Sequence, residues 1–185
     1  IIDWATIEYA SAGITLYRSS PKIDNSILRY SVDGLYSESD GITRIFNSAI
    51  FNNTYGIRGS LAYYYYGPYP RSEISNSRIQ NNTYGIYVSG YLGIQESLIS
   101  NNTYGIYSSG TLKVLGCDIS YNTHGIIAYS ATISKSIISN NNGVGVSPSW
   151  YEYMGTIYYS DGTFTISYST ITGNEKNGVV SKGSS

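Results

Sequence analysis

Residues 94–106 read I-Q-E-S-L-I-S-N-N-T-Y-G-I, and this pattern decides the fold because it recurs along the chain. Its last five residues, N-T-Y-G-I, also occur at 53–57 and 82–86, and N-T-H-G-I occurs at 122–126. Aligning the copies on the glycine gives a repeating unit of about 20–22 residues with two longer intervals. A fixed period of this length indicates a repeat architecture, in which each unit packs only against its neighbours.

Three positions of the unit carry aliphatic residues and a fourth carries a small residue, provided that one turn is a residue longer in the last two copies. The aliphatic columns are Ile2, Ile23, Ile45, Ile74, Ile94, Val114, Ile133 and Ile166; Ile7, Leu28, Ile50, Ile79, Ile99, Ile119, Ile138 and Ile171; and Ile14, Leu35, Ile57, Ile86, Ile106, Ile126, Val146 and Val179. The small column is Ala5, Ser26, Ser48, Ser77, Ser97, Cys117, Ser136 and Ser169. Short β-branched stretches separated by Gly, Asn, Ser and Thr are typical of strands. The sequence therefore predicts an all-β parallel solenoid, one domain over residues 1–185, with about eight rungs stacked ~4.8 Å apart.

A polar column accompanies the aliphatic ones. We expect Asn53, Asn82, Asn102 and Asn122 at a corner, because Asn tolerates left-handed backbone and its amide can bond to the Asn above and below. The glycine that follows each Asn is expected to serve the same corner.

The repeated Ile, Ser, Asn and Gly positions resemble those of right-handed parallel β-helices of the pectate-lyase-like superfamily, over essentially the whole chain. The short repeat is most similar to those of microbial surface proteins and of periplasmic copper-accessory proteins. The resemblance implies a single-stranded right-handed parallel β-helix, to which the two longer intervals of this sequence add two aromatic loop insertions. It does not imply a function, because one fold hosts many functions.

Composition excludes several classes of protein. Only 12% of the 185 residues are charged and the formal net charge is −1, so no nucleic-acid-binding face is expected. One Cys, one Met and one His cannot form a disulfide framework or a cysteine-rich metal site. No apolar run approaches the ~18 residues of a membrane span. Because the chain opens on Ile1, we interpret it as a segment of a longer chain.

The chain departs from the catalytic members of the superfamily that it resembles. The Asn-Thr pairs at 53–54, 82–83 and 102–103 are followed by Tyr where the hydrolases have Asp. His124 occupies a slot that is Tyr in the other copies, and Cys117 stands in the small column. We therefore predict no catalytic residue, no metal ligand and no cofactor. Two alternatives stay open: a fragment of a polysaccharide lyase or glycoside hydrolase, and a periplasmic copper-accessory-type β-helix.

The two insertions are rich in aromatic residues and leave the predicted coil at the same corner. Long loops on a rigid scaffold commonly carry function, and exposed aromatic clusters bind sugars or protein partners. The insertions could equally fold down and cover a sheet. The residues predicted to contact a ligand or partner there are Tyr63, Tyr64, Tyr65, Tyr66, Tyr69, Trp150, Tyr151 and Tyr153.

A second predicted contact surface lies two residues after the repeated glycine, in a column that should point outward. Its members with binding potential are Tyr36, Arg58, Tyr87 and Tyr107. They could form a glycan platform, or a tyrosine stack that stabilises the sheet.

Three sequons, beginning at Asn52, Asn81 and Asn101, are candidate N-glycosylation sites. Asn and Thr also suit a corner, so the motif has a structural interpretation as well.

The favoured function is a non-catalytic module for surface attachment, assembly or contact with a carbohydrate or protein partner at the aromatic loops. We expect it to be extracellular or on the cell surface, with a periplasmic location less favoured. Because unpaired strand edges at the ends template further pairing, we also expect either a continued solenoid or end-to-end self-association.

Overall fold

The computed structural model describes residues 1–61, 72–153, 156–159 and 161–181, and for 39–40, 150–153 and 156–159 it describes the backbone alone. The predicted contact residues Tyr63, Tyr64, Tyr65, Tyr66 and Tyr69 lie outside the described residues. No helix in the described part of the chain is long and apolar enough to cross a membrane.

The described chain is built from short strands. Their bounds are β1 Ile2–Asp3, β2 Thr6–Glu8, β3 Ala12–Tyr17, β4 Lys22–Asp24, β5 Ile27–Arg29, β6 Asp33–Gly41, β7 Arg44–Phe46, β8 Ala49–Phe51, β9 Tyr55–Leu61, β10 Ser72–Ser75, β11 Arg78–Gln80, β12 Tyr84–Ser89, β13 Tyr91–Gln95, β14 Leu98–Ser100, β15 Tyr104–Leu115, β16 Asp118–Ser120, β17 His124–Ser134, β18 Ile137–Ser139, β19 Val146–Pro148, β20 Trp150–Tyr153, β21 Thr156–Tyr159, β22 Phe164–Ser167 and β23 Thr170–Thr172.

The strands wind into a solenoid with three faces. The first face carries β1, β4, β7, β10 and β13; the second is an eight-stranded sheet in the order β2-β5-β8-β11-β14-β16-β18-β23; the third carries β3, β6, β9 and β12. β15 and β17 run unbroken across the corner between the third and first faces, and so join them into one sheet. Every pairing between described strands of successive rungs is parallel, which confirms the predicted solenoid with one second-face strand per rung.

The predicted columns coincide with the observed register. On the second face Ile79 pairs with Ile50 and Ile99, and all three are fully buried. The column continues from Ile119 through Ile138 to Ile171, which confirms the longer turn in the last two copies. Burying each aliphatic side chain contributes roughly 1.5–3 kcal/mol, so these columns form the main stabilising core.

The buried Asn ladder is present, but the left-handed residue is its neighbour. The Asn82 amide donates to Asn102 Oδ1 at 3.1 Å, and its own Oδ1 accepts from Asn53 Nδ2 at 3.2 Å. The positive φ angles belong to the exposed residue one position earlier, for example 53° at Asn81. The inner Asn is therefore selected for hydrogen bonding and the outer Asn for backbone conformation.

The repeated glycine is needed for space and not for a left-handed backbone conformation. A methyl group on Gly85 would lie 2.6 Å from the carbonyl oxygen of Gly105, and φ at Gly85 is not positive. Adjacent rungs approach too closely at this point for any side chain.

The second insertion contains an antiparallel hairpin. β20 pairs with β21, with Trp150 opposite Tyr159 and Tyr153 opposite Thr156. The hairpin backbone thus carries the predicted contact residues Trp150, Tyr151 and Tyr153. It leaves the solenoid after β19, at the same corner where the first insertion follows β9.

Candidate functional site

A groove crosses the first face at Gly93, where one column of outward side chains is interrupted. Glu73 pairs with Gly93, and Gly93 pairs with Lys113 on the next rung. The missing side chain leaves a cavity of about 180 Å³. It is lined by Ser72, Glu73, Tyr91, Gly93, Ile94, Gln95, Lys113 and Leu115.

Nothing in the described backbone requires a glycine at position 93. A methyl group there would meet the Ser72 carbonyl oxygen at 3.8 Å, an ordinary contact, and φ is not positive. Glycine inside a strand costs about 0.5–1 kcal/mol relative to alanine. A strand glycine without a structural reason often marks the close approach of a ligand.

Glu73 and Lys113 lie on opposite sides of the groove and form no ion pair with each other. Glu73 Oε1 accepts a hydrogen bond from Gln95 Nε2 at 2.7 Å, which fixes the carboxylate on one side. Lys113 is exposed on the other side, two rungs away, or about 10 Å at the inter-strand spacing. The groove therefore offers a hydrogen-bond acceptor and a donor across a gap that a ligand could bridge. Tyr91 forms a largely buried wall between them.

The sequence alone did not identify this groove. Glu73, Gly93 and Lys113 belong to no motif, and they align only when the register of three successive rungs is known. The usable signal was a glycine in a column that holds Arg44, Glu73 and Lys113 in neighbouring rungs.

An aromatic array covers the third face. One column stacks Tyr55, Tyr84, Tyr104 and His124, with ring centroids 4.9, 4.8 and 5.2 Å apart. The second column contains the predicted residues Tyr36, Arg58, Tyr87 and Tyr107. Tyr87 stacks on Tyr107 at 5.2 Å, and Tyr84 meets Tyr87 edge to face at 5.3 Å.

Arg58 lies within the second column, between Tyr36 and Tyr87. Its guanidinium lies 4.8 Å from the Tyr36 ring centroid and 4.9 Å from that of Tyr55. Its Nη2 donates to Asp33 Oδ2 at 2.6 Å, and Asp33 is buried. The structure thus brings the predicted residues Tyr36 and Arg58 together, and adds Asp33 and Tyr55, which the sequence did not single out.

Within the array the rings cover one another's faces. Stacking at 6–20° between ring planes leaves mainly edges and hydroxyl groups toward solvent. Burial and neighbouring tyrosines raise the pKa of Tyr84 and of Tyr107, so both phenols stay protonated at neutral pH. The geometry suits hydrogen bonding to a ligand more than ring stacking on it, and it also stabilises the sheet.

Ile127, which follows Tyr107 in the outward column, does not point to solvent. Ile127 is 1% exposed and pairs with Ser147. Residues of the last described rung, including Val179, share a surface cavity with it.

His124 is the fourth ring of the stacked column, as its slot in the sequence predicted. Burial and the nearby Lys176 lower its pKa, which favours the neutral imidazole. Its Nδ1 is buried and lacks a hydrogen-bond partner among the described residues. Asp118 is exposed on another face, and Cys117 is 2% exposed with a thiol pKa raised by burial.

The sequon residues Asn52, Asn81 and Asn101 are exposed and stacked one rung apart at the corner after the second face. Their accessibility is compatible with modification, and whether they carry glycans stays a prediction.

Comparison with known proteins assigns the family. The sequence model of the right-handed β-helix region family matches residues 12–185, and the chain belongs to that family. No curated protein matches the sequence significantly. Among solved structures, the chain is similar to the A-module of mannuronan C-5 epimerase AlgE4 from Azotobacter vinelandii, with a TM-score of 0.63 and 13% identity. The match covers 96% of this chain and 56% of that one, and at this identity it shows the fold alone.

Proposed function

We propose that the chain is a non-catalytic module that contacts a carbohydrate polymer at the Gly93 groove. The observation that carries the proposal is the glycine itself, which opens a cavity although the described backbone does not require it. Such a module would act at the cell surface or in the extracellular space, where it would hold the protein on a polymer.

The chemistry of the groove supports this choice of ligand. Sugar hydroxyls can both donate and accept, so different hydroxyls of one bound sugar chain can accept from the Lys113 ammonium group and donate to the Glu73 carboxylate. Binding sites for such ligands combine apolar walls with a few placed polar groups, as Tyr91 and Gln95 provide here. Ser72 lines the groove and directly follows the first insertion in the chain. We therefore propose the tyrosines of the first insertion as further contacts.

A second candidate is a polysaccharide-modifying fragment, and one observation favours it. The groove brings a carboxylate, a phenol and an amine, from Glu73, Tyr91 and Lys113, to one cavity, which the sequence did not predict. The similar solved structure is a mannuronan epimerase. We favour binding because the groove holds a single carboxylate, whereas glycoside hydrolysis typically needs two.

Filling the groove tests the proposal. Gly93→Leu should reduce the affinity for the bound polysaccharide at least about tenfold, because its side chain occupies the cavity. Thr132→Leu, in the same outward column beyond the groove, is the matched control and should bind normally. Affinity electrophoresis with alginate, polygalacturonate, xylan and glucomannan provides the readout. Equal binding by both variants, or no binding by the unmodified chain, would reject the proposal.

The catalytic alternative has its own test. Incubating the chain with the same polymers, with and without calcium, should yield no new reducing ends, no unsaturated products and no change in sugar configuration. Any of these products, lost in Glu73→Gln, would establish the second candidate instead.

A further inference from the structure

The corner after the second face carries exposed tyrosines in a backbone conformation that does not favour them. Each rung places one residue there with positive φ. In chain order the column is Tyr9, Tyr30, Asn52, Asn81, Asn101, Tyr121, Asn140 and Gly173. Asn and Gly adopt this conformation readily, whereas a bulky side chain at positive φ is strained.

The tyrosines do not recover this cost by burial. Tyr9, Tyr30 and Tyr121 are 76%, 42% and 63% exposed. Replacing each tyrosine by Asn, the residue that the middle rungs have in this column, would remove the strain. Strained residues of this kind cluster at functional sites, so the exposed rings call for a role outside the fold.

The first two rings are held in place. Tyr9 and Tyr30 stack with centroids 5.3 Å apart. Arg29 lies 5.1 Å from the Tyr30 ring centroid and is itself fixed by Glu8, with Nε to Oε2 at 2.6 Å. The pair therefore forms a rigid aromatic platform at one end of the corner.

Between this platform and Tyr121 lies a polar floor three rungs long. Its outer residues are Asn52, Asn81 and Asn101, with Thr54, Thr83 and Thr103 beside them, all exposed. Within the described part of the chain, these six side chains make no hydrogen bond, whereas the inner Asn ladder is fully bonded. Each rung thus presents one unused amide and one unused hydroxyl, repeated about every 4.8 Å.

Apart from the paired Arg29 and Glu8 at the platform, the surface is uncharged, and it is long enough for a chain of several sugars. Its lining consists of Tyr, Ser, Asn and Thr side chains. From Tyr30 to Tyr121 the column spans four rungs, about 19 Å at the inter-strand spacing. Amides and hydroxyls match sugar hydroxyls in both hydrogen-bonding directions, and the exposed Tyr121 ring suits an apolar sugar face.

We propose that this corner is a second binding site, which takes a neutral oligosaccharide lying along the solenoid axis. One terminal sugar lies against the ring edges and hydroxyl groups of the Tyr9–Tyr30 platform and the other stacks on Tyr121, and the Asn and Thr side chains bind the hydroxyls between them. The site is on a different part of the surface from the Gly93 groove and does not depend on it. Its lack of charge distinguishes it from that groove, which carries Glu73 and Lys113.

The experiment uses a variant that relieves strain. Tyr9→Asn, Tyr30→Asn and Tyr121→Asn together give each position the residue that the column has in the middle rungs, so the melting temperature should stay equal or rise. Binding of neutral manno- and cello-oligosaccharides, measured by isothermal titration with the unglycosylated chain, should fall at least about tenfold. Thr83→Val, which removes one hydroxyl, should weaken binding without a change in fold.

Several outcomes would overturn the site. These are undiminished binding by the triple variant, no binding of neutral oligosaccharides by the unmodified chain, or a preference for oligoalginate. Glycans attached to Asn52, Asn81 or Asn101 in protein from its natural host would also overturn it, because they would occupy the corner. Gly93→Leu separates the two sites: it should leave neutral oligosaccharide binding here unchanged, whatever it does to the groove.

Discussion

At the scale of single residues, the fold depends on polar groups that are buried and fully bonded. Asn82 donates through Nδ2 to the carbonyl oxygens of Ile50 and Gln80, and to Asn102 Oδ1. Its Oδ1 accepts from the Asn53 backbone N–H and side-chain amide. A ladder residue therefore ties its own rung to both neighbours, and its loss would leave several buried groups unpaired.

We predict that Asn82→Ala destabilises the chain by about 2–5 kcal/mol, because each unsatisfied buried group costs about 1–3 kcal/mol. Asn81→Gly, at the adjacent exposed position with positive φ, should change the free energy of unfolding by less than about 0.5 kcal/mol. Urea unfolding measures both. Similar losses in the two variants would contradict the distinction between inner and outer Asn.

Two glycines should respond oppositely to the same substitution. Gly85→Ala forces a methyl group to 2.6 Å from the Gly105 carbonyl oxygen and should cost at least about 2 kcal/mol. Gly93→Ala has room, so it should be neutral or stabilise by up to about 1 kcal/mol. Thermal melts compare them. A destabilised Gly93→Ala would mean that position 93 is glycine for structural reasons.

His124 should make stability depend on pH. Its pKa is lowered in the folded chain from an ordinary value of 6.5, so the unfolded chain binds the proton more readily. Stability is therefore fully present above about pH 6.5 and falls as the pH drops toward the lowered pKa. His124→Tyr, which restores the residue of the neighbouring rungs, should flatten the melting temperature between pH 7.5 and pH 5. An unchanged slope in this variant would assign the dependence to other groups.

At the scale of elements, the rungs differ at the corner between the third and first faces: some have a continuous strand there and others have an insertion. In the rungs of β15 and β17 one strand crosses this corner without interruption. In the rungs of β9 and β19 the two insertions follow at this point of the sequence, and the first face resumes at β10 and β22. Both insertions thus leave from a scaffold that is paired on either side, an arrangement suited to presenting a contact surface.

The aromatic insertions should contribute to binding and little to stability. Replacing Tyr64, Tyr65, Trp150 and Tyr151 by Ser should reduce polysaccharide binding at least about tenfold and leave the thermal melt nearly unchanged. The matched comparison is Tyr84→Ser, which breaks the stacked column and should lower the melting temperature. A large drop in melting temperature in the insertion variant would show that these residues are packing residues.

At the scale of the whole molecule, the sequence predicted the solenoid because every rung repeats the same buried positions. The columns through Ile7, Ile14 and Ile2 could be aligned without a structure, and the register confirms them. The ladder of Asn53 and Asn82 was also predictable, since buried amides stack only with their equivalents. The left-handed position was misplaced by one residue because both Asn residues of each N-N pair suit a corner.

The candidate sites were less predictable because they depend on departures from the repeat. Gly93 can be recognised as part of a groove only once the register shows that it lies between Glu73 and Lys113 of the adjacent rungs. Asp33 stands in the column of the stacked tyrosines, where its pairing with Arg58 depends on a contact between rungs. A consensus describes what the rungs share, whereas binding uses the positions where they differ.

The most direct test of the account is to map a bound polysaccharide fragment on the chain by NMR. The amide signals of residues 72–73, 91–95 and 113–115 should shift on titration with the polymer that binds best in affinity electrophoresis. The fragment should be recovered with its length and sugar configuration unchanged. Shifts confined to other faces would contradict the groove at Gly93 as the contact site, and a shortened or epimerised fragment would contradict a non-catalytic module.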